Sequence, residues 1–207
     1  MDLNSILAEI AIMAPPFLFA LTVHELAHGL AAHRLGDPTA ARLGRLTLNP
    51  LKHLDLLGVA AFFIMKIGWA KPVPVNPGYF RNPARGLLWV SLAGPGANLL
   101  LAVASGLGAR VLALASPLLP AFFWWPAIQM AAASIWINIM LAVFNFLPVP
   151  PLDGSKILAA LLPRGPAAVF AKAEPYGFLI LIALFYTGAL QKIILPIIAF
   201  AQGIIVG

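Results

Sequence analysis

The sequence predicts an all-α membrane protein: a polytopic bundle of transmembrane helices, some of them broken, with room for a small edge β element. Three observations carry this. Of 207 residues, 61% are hydrophobic and 10% are charged, against about 25% charged in a soluble domain. Mean hydropathy is +0.94. The apolar residues run in long Ala-, Leu-, Ile- and Val-rich blocks, unlike the short alternating segments of a membrane barrel. One unit covering 1–207 is expected, with no separate soluble domain.

The formal net charge is +6. Its distribution argues against nucleic acid as a partner. Eight of the thirteen basic residues fall between Arg34 and Arg85, beside apolar segments, as in cytoplasmic loops under the positive-inside rule. The expected surroundings are therefore a lipid bilayer, with this region facing the cytoplasm and the N-terminus outside. Cysteine is absent, which excludes disulfides and thiolate chemistry. The start, "MDLNSILAEI", has no basic n-region, so no cleavable signal peptide is expected.

In chain order, residues 5–33 are long enough to span, since about 20 residues cross the hydrocarbon. Pro15-Pro16 kinks this segment or begins its regular part, and Gly36-Asp37-Pro38 ends it. Residues 38–53 and 67–85 are polar, proline-rich and irregular. Within them "RLTLN" (45–49) and "WAKPVPVN" (69–76) are candidate short strands, the second confined by its prolines to an edge or to polyproline geometry. Residues 54–68 are apolar but short, which suggests a re-entrant or interfacial piece. A second span is expected over 87–109, running outward, and a third over 127–147, returning. The break "LPVPPLDG" (147–154) precedes a short helix near 154–162. Residues 174–206 read as a C-terminal hydrophobic helix or helical hairpin, interrupted at Gln191-Lys192 and Pro196.

Inside the first span stands His24-Glu25-Leu26-Ala27-His28. Residues four apart on a helix are about 40° apart around the axis and one turn along it. Both imidazoles can reach one ion, with Glu25 beside it as a non-ligand. This is the H-E-x-x-H pattern of zinc proteases, in which Glu is the general base. The competing reading is two buried histidines bonded to neighbouring helices. Three ionisable groups within one turn of a membrane helix are costly, and function is the default inference.

A catalytic zinc site takes three protein ligands and one open position. Asp153 is the preferred third ligand. His28 lies about 9 Å along the helix from Arg34, which marks the inner boundary, and His24 about 15 Å. The returning span ends near the same boundary, and Pro148, Pro150 and Pro151 let Asp153 be presented from an irregular turn. Asp153 can alternatively N-cap the helix after it, and Glu174 is the next candidate ligand. His33 adjoins Arg34 and is expected at the interface. His53 is expected on a solvated loop surface.

Asn98, Asn138 and Asn145 need polar partners inside the membrane. For Asn138 helix–helix hydrogen bonding is the favoured reading. Asn98 and Asn145 lie near the metal depth and are candidates for supporting an oxyanion or the substrate. Gly94, Gly96 and Ala97 would allow close helix approach. The expected chemistry is attack by a metal-activated water, with Glu25 taking its proton and passing it to the leaving amine. An extended substrate could pair with 45–49 or 69–76.

Taken together and in this order, "HELAHG", "GWAKPVPVNP", "AGPGAN" and "NFLPVPPLDG" resemble the site-2 protease family of intramembrane zinc metalloproteases. The resemblance covers roughly residues 15–160. It implies one Zn2+ per chain held by His24, His28 and Asp153, with Glu25 as catalytic acid/base. It also implies transmembrane protein substrates, cut in or next to their membrane segments in regulated intramembrane proteolysis. The location implied is the cell (inner) membrane, multi-pass, with the active site towards the cytoplasm. The chain departs from larger members in having H-E-x-x-H in its first hydrophobic segment and no room for a PDZ or CBS domain, as in a minimal bacterial or archaeal form. Three rivals stand beside this reading. One is a membrane protease of the prenyl-protein or heat-shock type, with Glu174 as third ligand. Another is a zinc transporter or sensor without hydrolytic activity. The least favoured is an inactive homologue acting as a binding scaffold, against which the intact H-E-x-x-H and Asp153 argue.

Overall fold

The computed structural model describes residues 2–65 and 69–206. The first helix, α1, runs from Leu3 to Arg34. The Asp2 carboxylate accepts from Ser5 N–H and caps its start, as expected for an Asp at an N-cap. Pro15 and Pro16 lie inside the continuous helix. Its end is a Schellman turn: Gly36 has φ +103, its N–H donates to His33 O, and Asp37 N–H donates to Ala32 O. A left-handed residue there calls for glycine.

A loop region follows, holding the short helices α2 (Thr39–Arg42) and α3 (Leu56–Met65). Neither proposed strand forms; among the described residues there is one isolated antiparallel bridge, Leu54 with Ala70. In 45–49 the backbone folds on itself, with Thr47 N–H donating to Arg45 O and Asn49 N–H to Thr47 Oγ1. In 69–76 the donors are taken by side chains and by His53 O. The apolar piece expected over 54–68 is helical through Met65, and its last three residues lie outside the described ones.

The second span, α4, covers Pro83–Ala115 and so begins before position 87. Asn82 caps it through Arg85 N–H, and Pro83 takes the first-turn place where its missing N–H costs nothing. The third span, α5, covers Ala121–Phe146. After the break come α6 (Asp153–Leu161) and an additional short helix, α7 (Arg164–Ala171). The C-terminal region is two helices, α8 (Gly177–Tyr186) and α9 (Ala189–Val206). They are bent by 76° at Gly188, whose φ is +74. Among the described residues three helices are long and apolar enough to cross a membrane, or four if that bent pair is one span.

Packing in this bundle depends on small residues. On α4, Gly94, Asn98, Ala102 and Gly106 recur every fourth position and are buried. Leu100, Leu107 and Leu114 on the other side are exposed, Leu114 to 83%. That polarity suits lipid, which solvates leucine as well as protein does, so helices associate through close backbone approach and polar contacts. Ala102 joins Ile135 and Ile139 of α5 and Leu190, Ile194 and Ile198 of α9 in the main apolar core. A Cβ at Gly106 would meet Ile205, so this glycine sets how near α9 can come.

Candidate active site

His24 and His28 point the same way from α1, one turn apart, and α6 brings Asp153 to them. The Nε2 atoms of the two histidines are 3.0 Å apart. Asp153 Oδ2 is 3.2 Å from His24 Nε2 and 3.0 Å from His28 Nε2. All three residues are buried. Among the described residues they are the one group of His, Cys, Asp or Glu side chains whose ligand atoms converge this closely.

The outer ring atoms decide what the inner ones can be. His28 Nδ1 lies 2.7 Å from Val90 O. A carbonyl only accepts, so Nδ1 carries the hydrogen. Asn98 Nδ2 donates to Ala20 O and to Asn138 Oδ1; its Oδ1, 2.6 Å from His24 Nδ1, therefore accepts. Both neutral imidazoles then present a bare Nε2 lone pair. Two lone pairs and a carboxylate oxygen facing one another at about 3 Å repel unless a cation lies between them. The donor set of two imidazoles and one carboxylate suits a zinc ion with one position left open.

A missing side chain on α4 lets the two imidazoles sit where they do. A Cβ at Gly94 would sit against His28 Nε2 and 2.7 Å from His24 Cε1. Gly96, by contrast, faces open space, so of the two glycines expected to permit close approach only Gly94 does so here. Asp153 reaches the site because α5 stops at Phe146 and the chain makes two tight turns. Val149 N–H donates to Leu147 O and Leu152 N–H to Val149 O. Gly154 packs against the carbonyls of Phe146 and Leu147, where no Cβ would fit. Asp153 is the first residue of α6, and no side chain caps that helix. Its carboxylate goes to the histidines, and Oδ1 is 3.6 Å from Lys156 Nζ.

Glu25 is buried beside the trio. Its Oε2 accepts from Val73 N–H at 2.8 Å, and Oε1 has no protein partner among the described residues. Asn98 was a candidate oxyanion donor, but both amide hydrogens are spent on Ala20 and Asn138, so it orients His24 instead. Behind it, Asn138 donates to Ser134, whose hydroxyl meets that of Ser105. Asn145 donates to Leu141 O in its own helix. Glu174 is exposed and outside the convergent group. His33 is exposed. His53, expected on a wet surface, is fully buried; its Nε2–H donates to Thr47 O, which folds the loop around it.

Sequence reasoning did not single out Asp37 as a structural anchor. It is fully buried and accepts from Thr39 N–H, the Thr39 hydroxyl and Asn76 N–H. Burial pushes its carboxyl upward, but these donors and Arg42 outweigh it and hold the pKa below the ordinary value. The "D-P-T" order, an Asx-type turn signal, was the available hint.

A multi-pass membrane bundle with a buried His–His–Asp trio and a carboxylate beside it defines a membrane-embedded metallohydrolase. Comparison with known proteins agrees. Residues 113–188 match the model of peptidase family M50. The chain is 40% identical over 191 residues to "Putative zinc metalloprotease YwhC" of Bacillus subtilis, covering 87% of this chain and 83% of that protein. It is 34% identical over 186 residues to "Putative zinc metalloprotease Rip2" of Mycolicibacterium smegmatis (85% and 67%), and 33% over 181 residues to the Mycobacterium tuberculosis protein of that name (84% and 66%). No solved structure matches. The chain belongs to peptidase family M50, the site-2 protease family, and is a zinc-dependent intramembrane metalloprotease.

Proposed function

We propose that the chain is an endopeptidase for peptide bonds in or next to transmembrane segments of other proteins, with His24, His28 and Asp153 holding zinc and Glu25 moving the protons. The observation that carries this is the convergence of two bare imidazole nitrogens and one carboxylate oxygen, with Glu25 one residue from His24. Zinc bound there supplies Lewis acidity and a water acidic enough to be deprotonated near neutral pH. Glu25 Oε1 takes the proton from the attacking water and returns it to the leaving amine. Val90 O and Asn98 keep the imidazoles in the tautomer that offers Nε2. Burial of the trio keeps it largely out of bulk solvent, which strengthens the electrostatic interactions within it.

The basic region from Arg34 to Arg85 supports a cytoplasmic mouth for this site. Regulated release of a membrane-tethered substrate is the biological setting the reading favours. The test compares purified wild type with Glu25→Gln, quantifying zinc and cleavage of a transmembrane-peptide library. Zinc retained with cleavage lost is the expected result. Equal cleavage by both proteins would overturn the assignment of Glu25.

A further inference from the structure

Residues 70–76 cross the end of α1 as a strap, fixed at several points. Lys71 N–H donates to His53 O, and Lys71 O accepts from Arg45 Nη2 at 2.8 Å. Asn76 N–H donates to Asp37 Oδ2 at 2.7 Å. Between these tethers Val73 is the buried residue. It settles over Gly29, where a Cβ would come within 3.2 Å of Val73 Cγ1. Gly29 is one turn beyond Glu25 on the same face of α1. Its missing side chain makes room chiefly for Leu46, whose Cδ2 a Cβ would meet at 2.6 Å, and to a lesser degree for Val73. In this packing Val73 N–H meets Glu25 Oε2 at 2.8 Å.

The sequence of the strap fixes its register. Pro72 and Pro74 flank Val73 and carry no N–H. A slip of one residue in either direction would put a donorless nitrogen at the carboxylate. One buried carboxylate, Asp37, holds one end of the strap, while a second, Glu25, is held by its middle. The two acids lie on either side of the α1 C-terminus, so the helix end and the strap form one frame.

We propose that this strap is the positioning element of the acid/base group: Val73 N–H holds Oε2 of Glu25 so that Oε1 faces the metal ligands, and Asp37 sets the height of the strap. This rests on Glu25 being the proton carrier. Val73 and Asp37 are positioning residues, because neither touches the reacting atoms. A group held in place needs no reorganisation at the moment of reaction, and misplacing it by about 1 Å can cost about 100-fold.

The test removes one hydrogen. Replacing Val73 by its α-hydroxy analogue turns the Pro72–Val73 amide into an ester, deleting the N–H while keeping the side chain. The expected result is kcat lower by about 10- to 100-fold, KM within about twofold, and zinc content unchanged. In the metal-free protein, Asp37→Asn should speed hydrogen exchange of the Val73 amide by about tenfold or more. Wild-type kcat in the ester protein, with Glu25→Gln inactive, would overturn the positioning role alone. Full activity in Glu25→Gln would overturn the acid/base reading beneath it. Loss of kcat in proportion to lost zinc or lost folded protein would make Val73 structural only and also overturn the proposal. Unchanged Val73 exchange in Asp37→Asn would remove Asp37 from it.

Discussion

Along α1, residues 2–11 around its start are all exposed, whereas seven residues between Ala20 and Ala32 are buried. The exposed part carries Leu3, Ile6, Leu7 and Ile10 among the polar Asp2, Asn4, Ser5 and Glu9, bordering an open groove that Ile12 and Met13 share with Ala132 and Ala133 of α5. The buried part holds Thr22, His24, Glu25, His28 and Gly29. A soluble helix would bury the first set and expose the second. Lipid inverts that choice, because apolar side chains gain nothing from leaving it, while polar groups must find protein partners. The helix is thus a membrane anchor at one end and a reaction vessel wall at the other.

Substitutions along and against α1 should separate these two regimes. The largest effect is expected from His28→Ala, which leaves two ligands: zinc content by metal analysis and peptide cleavage should both fall to background. Gly94→Val comes next. Its side chain would occupy the space between the imidazoles, so zinc loading should fail while the protein, at an overpacking cost of about 1–3 kcal/mol, still folds. A Gly94→Val protein that binds zinc normally would break the argument that this glycine makes room for the two imidazoles. Asn98→Ala removes the partner of His24 Nδ1 without touching the ion. Competition with a chelator should show zinc held about 10- to 100-fold more weakly. At the other end Leu7→Ala should leave cleavage unchanged and shift stability by no more than about 0.5 kcal/mol. A large loss there would show that the exposed half packs against protein rather than lipid.

The legible parts of the molecule were those written in local chemistry. Helical period alone puts His24 and His28 on one face with Glu25 between them. The span containing them was read to within a few residues of its ends. Asp153 was reachable because the break before it is written in prolines and because depth along two helices can be counted. The later parts depended on partners far off in sequence. The α4 helix starts at Pro83 because Asn82 caps it, a signal passed over in favour of the first apolar residue. His53 is buried because Thr47 O accepts from its ring N–H and Lys71 N–H donates to its backbone carbonyl. The segment 69–76 resembles a strand by composition, yet its donors go to Glu25, Asp37 and His53 O rather than to a ladder. Asn98 was noticed for its depth, but the role of its amide is fixed by Ala20 and Asn138 on two other helices.

Asp153 enters the site from α6, long after α1 has been made, and this sets an order of assembly. As the chain emerges from the ribosome, His24 and His28 come first, on a helix capped at both ends by its own residues. Asp37 is already in place when Asn76 arrives, and Gly94 and Asn98 follow with α4. Until α6 docks, His24 and His28 lack the Asp153 carboxylate that faces both of them. The trio of His24, His28 and Asp153 is therefore the last part of the site to be completed, since it closes only when α6 meets α1.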